Sequence, residues 1–230
     1  MFDGETGTYE VTAEHGGLSE LGRQAVERID ALGGIVDVSQ MSKAATLQAI
    51  ALSNTPVIAT HSNVKQLSDV TRNLSDEEID RIGETGGVIH IAAFSAYLVD
   101  LTSPEMRSAI RDVRLAAGLP ETYSYPYELY WELEDEDEKV SFLTNMRALV
   151  GREDVARMVD HVDYVVARIG IDHVGIGTDF NHGGGIVGFA EADSAENVTA
   201  ELLRRGYSAD EIAKIWGGNF LRVLEVAGGR

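Results

Sequence analysis

Three apolar runs in this sequence end in side chains that can hold a metal or move a proton. Gly33 to Ser39 (GGIVDVS) is followed by Gln40, Pro56 to His61 (PVIATH) ends in an imidazole, and His173 to Phe180 (HVGIGTDF) carries Asp179. Imidazole nitrogen, amide oxygen and carboxylate are all possible ligands of a zinc-type ion, and the imidazole and carboxylate also accept protons. Arg72, in Thr71-Arg72-Asn73, adds a planar guanidinium whose forked edge matches a substrate carboxylate. His182 lies three residues past Asp179, before Gly183, Gly184 and Gly185, on a loop from which it could reach substrate or metal. Each residue also has an ordinary reading. A strand-end histidine can be packed in a core, an aspartate before a loop can form a turn, and an arginine in an acidic chain can pair with an acid.

What must position these groups is an α/β frame. Gly33–Ser39, Pro56–His61, Gly86–Phe94 and His173–Phe180 are rich in β-branched residues and nearly continuously apolar. That pattern suits strands covered on both faces, as in a parallel sheet. Helical spacing falls between and after them at Ser42–Ser53, Ser75–Glu84, Val155–Ile169 and Ser194–Arg205, with a last helix from Ser208 to Ala227. Ser75 with Glu78, and Ser208 with Glu211, have the spacing of a capping box. Strand and helix in alternation predict an α/β fold with right-handed crossovers, in which the carboxyl ends of the strands gather the site.

The segment 104–150 breaks the rhythm with Pro104, Pro120 and Pro126, aromatics from Tyr123 to Trp131 and the acidic run Glu132–Glu138. It reads as an excursion of helix and loop over one end of the sheet. Its acidic run reads as a solvated face, since carboxylates this dense repel one another, and its aromatics as a pocket wall or as packing. The first 20 residues, rich in glycine and containing His15, read as a loop arm. His90 and His173 read as core or adjacent-layer residues. His161 and Asp163 lie two apart in a helical pattern, where they point in different directions, so that pair reads as structural.

Composition narrows the function classes. With 230 residues, 44% of them hydrophobic, the chain can bury one sizeable core and reads as a single domain, 1–230. It has no cysteine, which excludes disulfide and cysteine–zinc frameworks. Nineteen basic residues against 38 acidic ones give a formal net charge of −19, which disfavours nucleic acid as a partner. No run of about 18 apolar residues predicts a membrane span, and no basic-then-apolar leader opens the sequence, so the expected location of the chain as given is cytoplasmic.

The strings GGIVDVSQ (33–40), PVIATHSN (56–63), RNLSD (72–76), GGV (86–88), DHVGIGTDF (172–180) and GGNFLR (217–222), in this order and spacing, closely resemble the membrane (renal-type) dipeptidases. The resemblance runs from about Gly17 to the C-terminus. It implies a TIM-like barrel of the metal-dependent hydrolase type and a zinc-dependent dipeptidase that releases free amino acids, with two zinc ions sharing a bridging glutamate. Carried over, His61 matches a zinc histidine, Arg72 the arginine that holds the dipeptide carboxylate, and Asp179 the aspartate that handles protons near the scissile bond. Gln40 stands where the family has another zinc histidine, as a neutral and weaker ligand. The family's N-terminal His-x-Asp pair, bridging glutamate and further substrate histidine have no counterpart, and Asn181-His182-Gly183 replaces its usual Asp-Gly.

A closed barrel of this type has eight strands in about 250 residues, and four are legible here, so the chain corresponds to the last four β/α units, a half-barrel. A half-barrel exposes sheet edges, which implies a homo-oligomer or completion by another segment. Three readings follow: a zinc dipeptidase or part of one; a non-catalytic remnant that binds carboxylate ligands or a partner chain; and a dimer of half-barrels with a single-metal site on His61 and Asp179.

Overall fold

The structure is a computed structural model that describes residues 15–228, with 100, 102 and 124 excepted. The glycines at 4 and 7 of the expected arm lie outside the described residues, as does the side chain of His182. His15 is exposed.

The sheet is built where β-branched residues run together. Strand β1 (Ile58–Ala59), β2 (Val88–Ala92) and β3 (Val174–Gly177) lie side by side in chain order, all parallel. Ile58 stands opposite Val88, and Ile89 opposite Val174. The run 33–39 contributes only one parallel bridge, Asp37 to Ile58, on the outer edge of β1. It is shorter than expected because the Asp37 carboxylate, rather than backbone, accepts the Thr60 N–H (3.1 Å) and turns the chain by also accepting the Ser39 N–H (3.0 Å).

Helix α1 (Glu20–Ala31) precedes this edge, where the sequence reading has no helix, and α2 (Lys43–Leu52) and α3 (Asp76–Glu84) follow the expected pattern. A single short turn, α4 (Ser95–Leu98), leads from β2 into the excursion, which contains α5 (Pro104–Ala116) and α6 (Glu136–Val150). Helix α7 (Val155–Ile169) returns to β3. Val57, Ala59, Ile89 and Ile91 pack with Ile79 and Ile82 of α3 and Val159 and Val162 of α7, all fully or nearly fully buried. Removing such apolar area from water is the main stabilising term.

After β3 come α8 (Ala195–Arg204), α9 (Ala209–Ala213) and α10 (Asn219–Gly228). The last predicted helix, Ser208–Ala227, is therefore broken in two. Gly217 takes extended backbone inside a widened turn at 214–218, and this aims Asn219, whose amide donates to the carbonyls of Ile171 (2.7 Å) and Val174 (2.8 Å). Phe220 and Val223 of α10 then cover Ile58 and Val88. At the start of α9 the Ser208 hydroxyl accepts the Glu211 N–H (3.3 Å) and the Glu211 carboxylate accepts the Ser208 N–H (2.8 Å). Ser208→Ala should lower stability by about 1 kcal/mol, seen as a lower urea midpoint with unchanged slope.

The excursion has its own apolar cluster, in which Ile110, Leu119, Phe142 and Met146 meet Ala92 at the end of β2 and Tyr97 of α4. Fully buried Arg114 ties its loop together by donating to the carbonyls of Pro120 (3.0 Å), Pro126 (3.1 Å) and Glu128 (2.8 Å). Most of the acidic run is exposed. Asp135 accepts the Glu138 N–H at 2.9 Å, and Glu136, Asp137 and Glu138 occupy the first turn of α6, where the helix dipole favours negative charge. Among the described residues, no helix is long and apolar enough to cross a membrane.

Candidate functional site

The carboxyl end of β1 runs directly into Thr60 and His61. The Thr60 hydroxyl donates to Asp37 Oδ2 (2.6 Å) and lies 2.8 Å from His61 Nδ1, while the His61 backbone N–H donates to the Ser39 hydroxyl (3.1 Å). The first sheet edge and β1 thus fix the imidazole together. Gln40 follows the Asp37 turn with φ +65°, a left-handed conformation that few side chains adopt without a compensating contact. Its compensation is bonding at both ends of its amide: Nε2 lies 2.7 Å from His61 Nε2, and Oε1 accepts from Arg72 Nη1.

Arg72 is carried on a loop whose next residue, buried Asn73, donates to the carbonyls of Ser68 and Tyr97, both at 2.8 Å. Buried Asn63 binds both backbone groups of Ala92, taking its N–H at 2.7 Å and donating to its carbonyl at 3.2 Å, so the loop after β1 is stitched to the end of β2. The guanidinium of Arg72 sits 5.1 Å over the Tyr125 ring, a cation–π contact that adds to its placement.

Asp179 stands just beyond β3 with φ +54°. Its carbonyl accepts the Gly184 N–H at 2.9 Å, and a Cβ at 184 would collide with the Thr178 carbonyl, so that tight turn requires glycine. Gln40, Arg72 and Asp179 line one cavity of about 490 Å³, and His61 joins it through Gln40. Tyr125, Tyr127, Tyr130 and Trp131 line it from the excursion, so the aromatic stretch is a pocket wall as well as packing. Burial pushes the Tyr97 phenol well above its usual range, with Arg72 opposing and Asp179 adding to the shift; burial also raises Tyr125. Both hydroxyls are therefore neutral at neutral pH and available as donors.

His90, His161 and His173 lie in the packing. The His90 ring meets Phe220 edge-on at 5.8 Å, and its Nδ1 donates to the Ala59 carbonyl (3.1 Å); burial lowers its pKa. His173 Nδ1 lies 2.8 Å from the Gly87 carbonyl. Fully buried His161 accepts the Val64 N–H at Nδ1 (3.0 Å), while Asp163 turns away to Arg205 (2.6 Å) and Tyr207 (2.7 Å). Asp37, Thr60, Asn63 and Asn73 shape the site although the sequence reading gives them no role. Their only sequence signal is that they fall inside the same strings as Gln40, His61 and Arg72.

The donor set of the described residues does not fit a metal centre. Among the described residues no three His, Asp or Glu side chains are grouped to hold an ion. The imidazole nitrogen that would face an ion faces the Gln40 amide instead.

Residues 4–228 match the model of the membrane dipeptidase family, peptidase family M19. A Claviceps purpurea protein named dipeptidase tcpJ is 30% identical over 214 residues, covering 91% of this chain and 38% of that relative. The crystal structure of the probable dipeptidase PvdM from Pseudomonas aeruginosa superposes with a TM-score of 0.80 at 40% identity, covering 94% of this chain and 56% of that one. A metallo peptidase from Rhodobacter sphaeroides, solved with a phosphinate mimic of the dipeptide L-Ala-D-Ala, shares the fold with a TM-score of 0.69 at 22% identity, covering 97% of this chain and 49% of its own. The chain therefore spans about two-fifths of that curated relative and about half of each solved one.

Proposed function

Since the chain belongs to the membrane dipeptidase family of metallopeptidases, we propose that its cavity is the dipeptide-binding part of a dipeptidase-type hydrolase site. The observation that carries this reading is Arg72, held over Tyr125 in a cavity that Asp179 also lines. Arg72 grips the C-terminal carboxylate with its fork, and the Tyr97 and Tyr125 hydroxyls supply neutral donors beside it. Asp179 receives the ammonium end, or takes the proton of a water that attacks the peptide carbonyl and passes it to the leaving amine as the C–N bond breaks. The aromatic wall excludes water from these contacts and so strengthens them.

Zinc, expected at His61 and Gln40, enters no step here, because the described residues do not assemble a place for it. The four parallel strand positions in chain order support reading this chain as the later part of a TIM-like barrel, with the other strands coming from another segment or a second copy. The bond between Gln40 and His61 favours a second reading, in which the cavity binds a carboxylate ligand without hydrolysing it.

Calorimetry with alanyl-alanine and its C-terminal amide tests the shared core of both readings. The free dipeptide should bind at least about tenfold more tightly, since a charge-assisted bond contributes about 1.5–3 kcal/mol. Equal affinity would remove Arg72 from carboxylate recognition.

A further inference from the structure

Arg72, Gln40, His61, Thr60 and Asp37 form a hydrogen-bond chain that runs in one direction. Arginine only donates, so the Gln40 amide must turn its oxygen to Arg72 and its NH2 to His61. At the other end a carboxylate only accepts, so the single Thr60 hydroxyl proton points to Asp37 at 2.6 Å. Thr60 Oγ1 must then accept from His61 Nδ1 across 2.8 Å. The imidazole proton is thereby fixed on Nδ1, and the ring's one lone pair lies on Nε2. That lone pair accepts the Gln40 N–H at 2.7 Å.

We propose that Gln40 takes the place of a metal ion at His61: it fills the ligating nitrogen, anchors Arg72, and leaves the cavity to bind a carboxylate ligand with no metal. The carboxylate half of this inference rests on the function proposed above; the metal half stands on the hydrogen-bond chain.

The physical balance favours the amide. An ion at His61 Nε2 would have to displace the Gln40 N–H and sit near the Arg72 guanidinium, which Gln40 holds, a like charge in a partly buried setting. Asp37 does not compensate, because its carboxylate is occupied by the Thr60 hydroxyl and by the backbone N–H groups of Ser39 and Thr60. No third imidazole or carboxylate joins it and His61 among the described residues.

The test is a zinc chloride titration of the whole chain followed by histidine 15N NMR, with His61→Ala assigning the His61 signals. The expected result is an Nδ1–H ring whose signals do not move with one equivalent of zinc, and alanyl-alanine binding that is unchanged by EDTA. Movement of the His61 signals in proportion to zinc, or loss of dipeptide binding under EDTA, would overturn the proposal.

Two variants isolate the blocking group. Gln40→Gly suits φ +65° and deletes the amide, and Gln40→His supplies an imidazole of a residue type that also tolerates this backbone. Zinc should shift the His61 signals in at least Gln40→His; silence in both would show that Gln40 is not what keeps the metal out. Failure of alanyl-alanine to bind with or without EDTA counts against the dipeptide reading, and the zinc titration still decides the metal.

Discussion

Arg72→Ala is expected to weaken binding of free alanyl-alanine by about a hundredfold and to leave the C-terminal amide unchanged. A hundredfold is about 2.7 kcal/mol, within the range of one or two charge-assisted hydrogen bonds made out of bulk water. Arg147, a second cation lining the cavity, sets a floor under the loss. Arg72→Lys keeps the charge without the fork and should recover only part of the affinity. Thermal unfolding of each variant separates recognition from folding, because Arg72 also holds Gln40 and stacks on Tyr125. Equal losses for the acid and the amide would assign Arg72 to architecture rather than to the ligand.

The second large effect is on stability in acid, and it comes from His161. This side chain is fully buried, with Nδ1 accepting the Val64 N–H. Burial, and secondarily the charge of Arg157, lower its pKa from 6.5 to about 3. Between those two values the unfolded chain binds a proton that the folded chain refuses, so stability is complete above pH 6.5 and declines as the pH falls toward 3. The loss attributable to this residue is on the order of 4 kcal/mol at pH 3. Urea unfolding across pH 7 to 4 reads the slope. His161→Gln, which can still accept the Val64 N–H but cannot titrate in this range, should flatten it by the His161 share while the carboxylate contribution remains. An unchanged slope would show that His161 is protonated in the fold.

The strands at β1, β2 and β3 were legible as positions because runs such as VIHIA and HVGIG are nearly continuously apolar, although each pairs over fewer residues than its run. The edge at 33–39 was legible as a position but not in length, since its pairing is cut short by a side chain, Asp37, binding a backbone N–H that lies 23 residues away. Helix α1 was hidden behind Gly16 and Gly17, which read as loop, although Ser19 caps it by accepting the Gly22 N–H at 3.1 Å. The break at 214–218 follows from where Asn219 must reach, a fact of the folded sheet rather than of local spacing.

The site shows the same division. Gln40, His61, Arg72 and Asp179 could be named from strand ends and from family strings. That Gln40 would be clasped between Arg72 and His61 could not, because those bonds join residues 32 and 21 positions apart and their direction is set by Arg72 at one end of the chain of bonds and Asp37 at the other. A donor type in a sequence says what a residue can bind; only its neighbours say what it already binds.

The excursion also bears on how such a site changes over generations. Its apolar cluster is largely separate from the one beneath the sheet, yet it supplies the aromatic wall of the cavity, while Arg72, Gln40 and Asp179 stand on loops rooted at strand ends. Mutations at Tyr127, Tyr130 or Trp131 can therefore redraw the wall without touching Arg72, the group proposed to take the ligand's carboxylate, whereas Tyr125 and Arg147, also in 104–150, bear on both. Apart from Tyr125 and Arg147, the wall and the Arg72 anchor are thus encoded in different stretches of chain, and substitution in one need not alter the other.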